Sequence, residues 1–207
     1  MSQSTGSKRI HNPHDSAFKA AMKNIHVAEE FFEVHLPEKV KKLILPGSYR
    51  LENNSYVDNQ LNQSSSDVLY SVKLADPQGK GAPRDGFIYV LVEAQTNPDK
   101  FLSWRMLGYM VRIVEEYRAQ ISSKKESTQK LPNVFPIIFY TGQKPYCYPI
   151  DLPSVFEFPD LAIEIFTKDF QFIDLKRLDD KDLMRHSSVG LLEMVYSFSD
   201  NDFGMIT

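Results

Sequence analysis

Three polar residues at the ends of two apolar segments have the types and spacing to do chemistry: Asp67, Glu93 and Gln95. Asp67-Val-Leu-Tyr-Ser-Val-Lys-Leu74 is rich in β-branched and aromatic residues and reads as a strand. Gly86-Phe-Ile-Tyr-Val-Leu-Val92 is an unbroken apolar run, the pattern of a strand buried on both faces. Between them, Pro77, Gly79, Gly81 and Pro83 supply loop chemistry. An antiparallel hairpin folded about Lys80 sets position 74 against 86 and Asp67 against Glu93, and the two-residue period puts Gln95 on the same face. Directly opposed residues have Cβ atoms roughly 4.5–5.5 Å apart, where two carboxylates repel. A hard divalent cation such as Mg²⁺ or Mn²⁺ between them reverses the sign, because such ions take carboxylate and carbonyl oxygens. The backbone carbonyl of Ala94 is a third candidate ligand. Without metal, at least one of the two carboxyls is expected to titrate above its ordinary range through like-charge repulsion.

The elements that must position these residues follow from periodicity. Phe18, Met22, Ile25, Ala28 and Phe32 recur at helical spacing over about 15–35, with Asp15 a natural N-cap and Leu36-Pro37 the stop. Leu43–Tyr49 and Tyr56–Leu61 are short extended segments around turns. Asn97-Pro98-Asp99 predicts a helix over 98–120, capped by Asn97, with Leu102, Met106, Ile113 and Tyr117 on its apolar stripe. Arg105 and Arg112 flank Tyr109 on that helix, either as a phosphate-gripping edge or as a solvated face. Lys124, Lys125 and Lys130 mark a basic loop. Asn133–Tyr140 is a further strand, in which Pro136 signals an unpaired side. Tyr146, Tyr148 and Phe156 either stack on bases or pin a Pro-rich loop to the body. Phe158–Phe166 and Phe170–Leu175 read as short edge strands, and 179–207 as a C-terminal helix. The fold class is α/β, a mixed sheet of about four to six strands flanked by helices.

An acid opening one strand and Glu-x-Gln closing the next resembles the PD-(D/E)XK nuclease core of restriction-endonuclease-like proteins. The wording resembles more closely the recombination-promoting nuclease family, whose members are also described as transposases. The matching stretches are His14-Asp15 with Phe18-Lys19, Leu45-Pro46-Gly47-Ser48, Ser66–Val72, Tyr89–Gln95, Arg105 to Tyr109-Met110, and Pro136–Gly142. They run in the same order from about 14 to 175. The resemblance implies a metal-dependent DNA endonuclease that promotes recombination, with Asp67, Glu93 and Gln95 catalytic and Mg²⁺ on Asp67, Glu93 and the Ala94 carbonyl. It implies supporting or DNA-binding roles for His14, Asp15, Lys19, Arg105 and Tyr109. Two readings stand beside it: a non-catalytic interaction module on a degenerate nuclease fold, and a transposase-like protein of a mobile element. Where resembling proteins usually carry an Arg near position 62, this chain has Leu61-Asn62. Asp58 is a spare acid in that region, read as a turn-edge residue.

Composition sets the outer bounds. With 207 residues, 42% hydrophobic and 25% charged, the chain suits one α/β domain or one domain plus a short appendage: a disordered 1–12, a nuclease-like domain over 13–178, and a C-terminal helix over 179–207, after which resembling proteins carry further helical sequence. No apolar run approaches the ~18 residues of a membrane span, and the polar N-terminus lacks the apolar centre of a signal peptide. A single cysteine, Cys147, fits a reducing cytoplasm. A net charge of −3 does not advertise DNA binding, so DNA as partner requires a local basic surface. A homodimer is compatible with this composition.

Overall fold

In the computed structural model the described residues are 13–52, 67–77, 79–93, 97–123 and 130–174, with Arg177 and Val189; for 13–16 and Glu93 the description covers the backbone alone. Along the chain run α1 (Pro13–Met22), α2 (Ile25–His35), a short α3 (Glu38–Lys41), β1 (Arg50–Leu51), β2 (Val68–Leu74), β3 (Arg84–Glu93), α4 (Leu102–Ser123), β4 (Asn133–Tyr140), a 3₁₀ turn (Pro153–Val155) and α5 (Pro159–Thr167). The chain divides into two compact units, Met1–Glu157 and Phe158–Thr207.

The sheet of the first unit has the order β1-β2-β3-β4. β2 pairs antiparallel with β3, and β4 pairs parallel with β3. The apolar run 86–92 is therefore central, as its lack of alternation predicts, and Phe87 to Val92 are all buried. A parallel neighbour needs a long crossover, which α4 supplies. Pro136 stands opposite Tyr89 on β4, which pairs with β3 alone among the described strands; an edge position tolerates its missing N–H.

Strand alternation splits the core into two layers. Val68, Tyr70, Val72, Ile88 and Val90 pack with Met22, Ala28 and Phe32 of α1 and α2. Leu69, Phe87, Tyr89 and Leu91 pack with Leu102, Met106, Tyr109 and Ile113 of α4. The result is a helix–sheet–helix sandwich, the mixed α/β class the sequence predicts.

Several local expectations are corrected. The first helix is two: Asn24 breaks it, its side chain accepting from the His26 N–H at 3.1 Å, so it caps α2. The Tyr70 hydroxyl donates to the Met22 carbonyl at the end of α1, satisfying a group that a continuous helix would have used itself. Asp15 lies within α1, which opens at Pro13, and so is not its N-cap. α4 begins at Leu102, not at Pro98; Asp99, not Asn97, caps the entering turn, its side chain accepting from the Phe101 N–H at 2.9 Å. Among the described residues of the lead to β2, Arg50–Leu51 form a strand and Ile44 makes an isolated bridge to Leu74, so Leu43–Tyr49 is not the extended segment expected. Residues 159–167 form a helix where edge strands were predicted, and 170–174 carry no strand. Pro159 at the first turn and Asp160 beside it favour helix initiation over pairing.

The hairpin register also differs. Val68 faces Val90 and Leu74 faces Arg84, so the fold axis falls at Gly79, not Lys80. Gly79 adopts φ +66, a left-handed backbone that glycine enters without a Cβ clash. Asp76 fixes the turn by accepting the N–H groups of Lys80 and Gly81 at 2.9 and 2.8 Å. Continuing that register places Asp67 level with Leu91, two residues short of Glu93. A slip of two preserves the face of every side chain.

The expectations for residues 1–12, Tyr56–Leu61 with Asp58, Asn62, Ala94, Gln95, Lys124, Lys125 and, apart from Val189, 179–207 lie outside the described residues. Among the described residues no helix is long and apolar enough to cross a membrane.

Candidate active site

Asp67 precedes β2 at the end of the sheet where β3 and β4 finish. Its Oδ1 accepts the backbone N–H of Val92 at 2.9 Å, and its Oδ2 accepts the Tyr89 hydroxyl at 3.0 Å. One bond per oxygen leaves each with a second lone pair. Burial pushes this carboxyl up to about 6; the Val92 N–H and the Tyr89 O–H pull the other way, as do the charges of Arg105 and Lys19. The sequence attributed a raised value to repulsion from Glu93, whereas desolvation is the leading cause. Tyr89 is pushed well above the ordinary phenol range, first by its own burial and then by the Asp67 charge. It is therefore a donor at every physiological pH.

Two cations reach this carboxylate from opposite layers. Lys19 lies on α1 and Arg105 on α4, and both act on Asp67. Arg105 is tied to Asp99 through Nη1 to Oδ2 at 3.1 Å. Tyr146 donates to the Asp99 carbonyl at 2.9 Å, so it pins the loop, the blander of its two predicted roles. Tyr109 is 6% exposed with its ring 5.3 Å from that of Tyr89, a core position beneath the site and not an exposed edge. Arg112 is exposed.

Glu93 ends β3 opposite Tyr140. Its side chain, with those of His14 and Asp15, lies outside the described residues, as do Ala94 and Gln95. Among the described residues no three His, Cys, Asp or Glu groups converge as a metal cluster. Asp67 is a hard-oxygen donor with a second lone pair on each oxygen, and its donor chemistry fits Mg²⁺ or Mn²⁺. Sequence reading missed Tyr89, the Val92 N–H and Asp99. The signal for Tyr89 was its place in the odd-numbered row that also holds position 91, but only the register brings it to Asp67.

The profile of a family described as "Putative transposase, YhgA-like" matches residues 12–203. This chain belongs to that family. The ordered motifs running from His14 to Gly142 are thereby accounted for. The chain is 32% identical to the inactive recombination-promoting nuclease-like protein RpnE of Escherichia coli (strain K12), over 94% of its own length and 60% of that protein. It is 31% identical to the recombination-promoting nuclease RpnC of the same strain, over 88% of this chain and 57% of that one. To the recombination-promoting nuclease RpnA it is 32% identical over 91% and 60%. The chain thus spans 57–60% of the length of these curated relatives. No solved structure matches it.

Proposed function

We propose that this chain is a metal-dependent DNA endonuclease of the PD-(D/E)XK type, hydrolysing phosphodiester bonds at the Asp67 end of its sheet. The observation that carries the reading is the Asp67 carboxylate: fixed by a backbone N–H and a buried phenol, short of full solvation, and overlooked by cations from two helices. A purely structural acid at a strand end gains nothing from desolvation. The names of RpnC and RpnA support nuclease chemistry, and a free exposed Cys147 is in keeping with a cytoplasmic setting.

Asp67, Glu93 and the Ala94 carbonyl would hold the Mg²⁺ or Mn²⁺ ion, which when bound polarises a phosphate and lowers the pKa of a water. The remaining work belongs to the chain. The Val92 N–H and the Tyr89 hydroxyl stop the Asp67 carboxylate from rotating, so its outward lone pairs keep one direction. Lys19 and Arg105 supply positive field for a phosphate entering beside it. Gln95, a neutral amide, is assigned to orient by hydrogen bonding, since it can neither take a proton nor add charge.

A second reading, a DNA- or protein-binding module without catalysis, is favoured by the name of RpnE, an inactive relative as similar as the active ones. Supercoiled plasmid incubated with Mg²⁺ or Mn²⁺ separates the two. Nicking that disappears in EDTA, in Asp67→Asn and in Glu93→Gln supports the endonuclease. DNA retained but uncut by the wild type supports the module.

A further inference from the structure

We infer that the turn into α4 and the loop facing it form a stacking platform for unpaired DNA bases, next to the cutting site and resting on the reading of that site as a nuclease. Phe101, Trp104 and Tyr148 are 48%, 52% and 41% exposed, a concentration of bare aromatic surface in one place. Phe101 and Tyr148 line a hollow of about 430 Å³ together with Phe156, whose ring meets Trp104 edge-on at 5.8 Å. Every base has a π-face, so an aromatic row of this kind takes bases regardless of sequence.

Three further observations favour bases over an apolar protein segment. Lys100 lines the same hollow, its Nζ over the Phe101 ring at 4.8 Å from the centroid, so a base stacking there displaces a flexible cation that is then free to pair with the nucleotide's phosphate. Glu157 also lines the hollow, a carboxylate that a purely apolar protein segment would leave without a partner on burial. The platform is also rigid: Asp99 accepts from the Phe101 N–H, pairs with Arg105, and takes the Tyr146 hydroxyl on its carbonyl. Phe101 lies one turn before Arg105, whose N–H bonds to the Phe101 carbonyl at 3.0 Å. A strand whose base rests on Phe101 is thereby led past Arg105 towards Asp67. Duplex DNA hides its base faces, so the geometry points to a substrate with single-stranded or opened bases.

Trp104 is the single tryptophan of the chain and reports directly. The full chain, in EDTA so that no cleavage occurs, is titrated with an oligodeoxythymidylate of about 12 nucleotides, within the site sizes typical of such grooves. Expected are saturable quenching of Trp104, much weaker quenching by a blunt duplex of equal length, and affinity about ten-fold lower in both Phe101→Ala and Tyr148→Ala. Tyr148 lies in a loop, so its variant decides the matter if Phe101→Ala fails to fold. Equal quenching by duplex, no response to the oligonucleotide, or unchanged affinity in Tyr148→Ala overturns the platform. Trp104 shielded from acrylamide in the free chain overturns it too, because another part of the protein then covers the surface. Binding without metal is read separately from plasmid nicking, so either reading can fail while the other stands.

Discussion

Tyr89, 1% exposed in the middle of the sheet, donates its hydroxyl to Asp67 at 3.0 Å and ties the core to the carboxylate of the candidate site. Tyr89→Phe removes that donor without changing the packing. Because the bond favours the ionised acid, its loss should raise the Asp67 pKa further, and stability should fall by about 1 kcal/mol. A carboxyl ¹³C titration of both proteins checks the first part and urea denaturation the second. An Asp67 titration that does not move would show the hydroxyl to be a bystander.

Asp67 should make stability depend on pH with a definite sign. Its carboxyl titrates at about 6 in the folded chain against 3.8 ordinarily. Between those values the native state holds more protons than the unfolded one, so this group's contribution falls as pH rises from about 4 to 6 and stays low above. Asp67→Asn escapes the effect. The variant should gain on wild type across that window, by about 2 kcal/mol. Denaturation at pH 4 and at pH 7.5 measures it; a constant difference at the two pH values contradicts the desolvated carboxylate.

Gly79 sets the hairpin register through its positive φ of 66. No neighbouring atom would meet an added Cβ there, so the whole cost of Gly79→Ala is backbone strain, about 1–2 kcal/mol. Gly79→Asn should cost less, since Asn enters that region more readily. Thermal melts of the pair test the ranking, and an alanine variant as stable as wild type would place the register's determinant elsewhere.

Metal linkage tests the proposed site without relying on turnover. Melting should rise with Mn²⁺ in the wild type, by the equivalent of about 2.7 kcal/mol at a hundredfold excess over Kd. The rise should vanish in Asp67→Asn and in Glu93→Gln. A shift surviving both substitutions moves the metal to another site. No shift, even with a short duplex present to lend a phosphate ligand, argues for the binding module.

What the sequence determined by itself is what depends on neighbours along the chain. The unbroken run 86–92 announced a central strand, Pro136 an edge, and the stripe from Leu102 to Tyr117 the helix that crosses between them, because burial period and backbone donors are local properties. The ordered motifs announced the family. The tertiary structure alone decided the rest. Whether Asp67 meets position 91 or 93 depends on how a nine-residue loop, Ala75 to Pro83, closes; Gly79 and Asp76 settle that by geometry no periodicity encodes. Tyr89 reads as one more core aromatic until that register hands its hydroxyl to Asp67. The break between α1 and α2 was equally hidden, since Phe18 to Phe32 keep helical spacing across it, and its partner, the Tyr70 hydroxyl, arrives from 48 residues away. Local pattern specifies which faces are buried; which polar atoms meet at the end of the sheet is fixed only when distant strands pair.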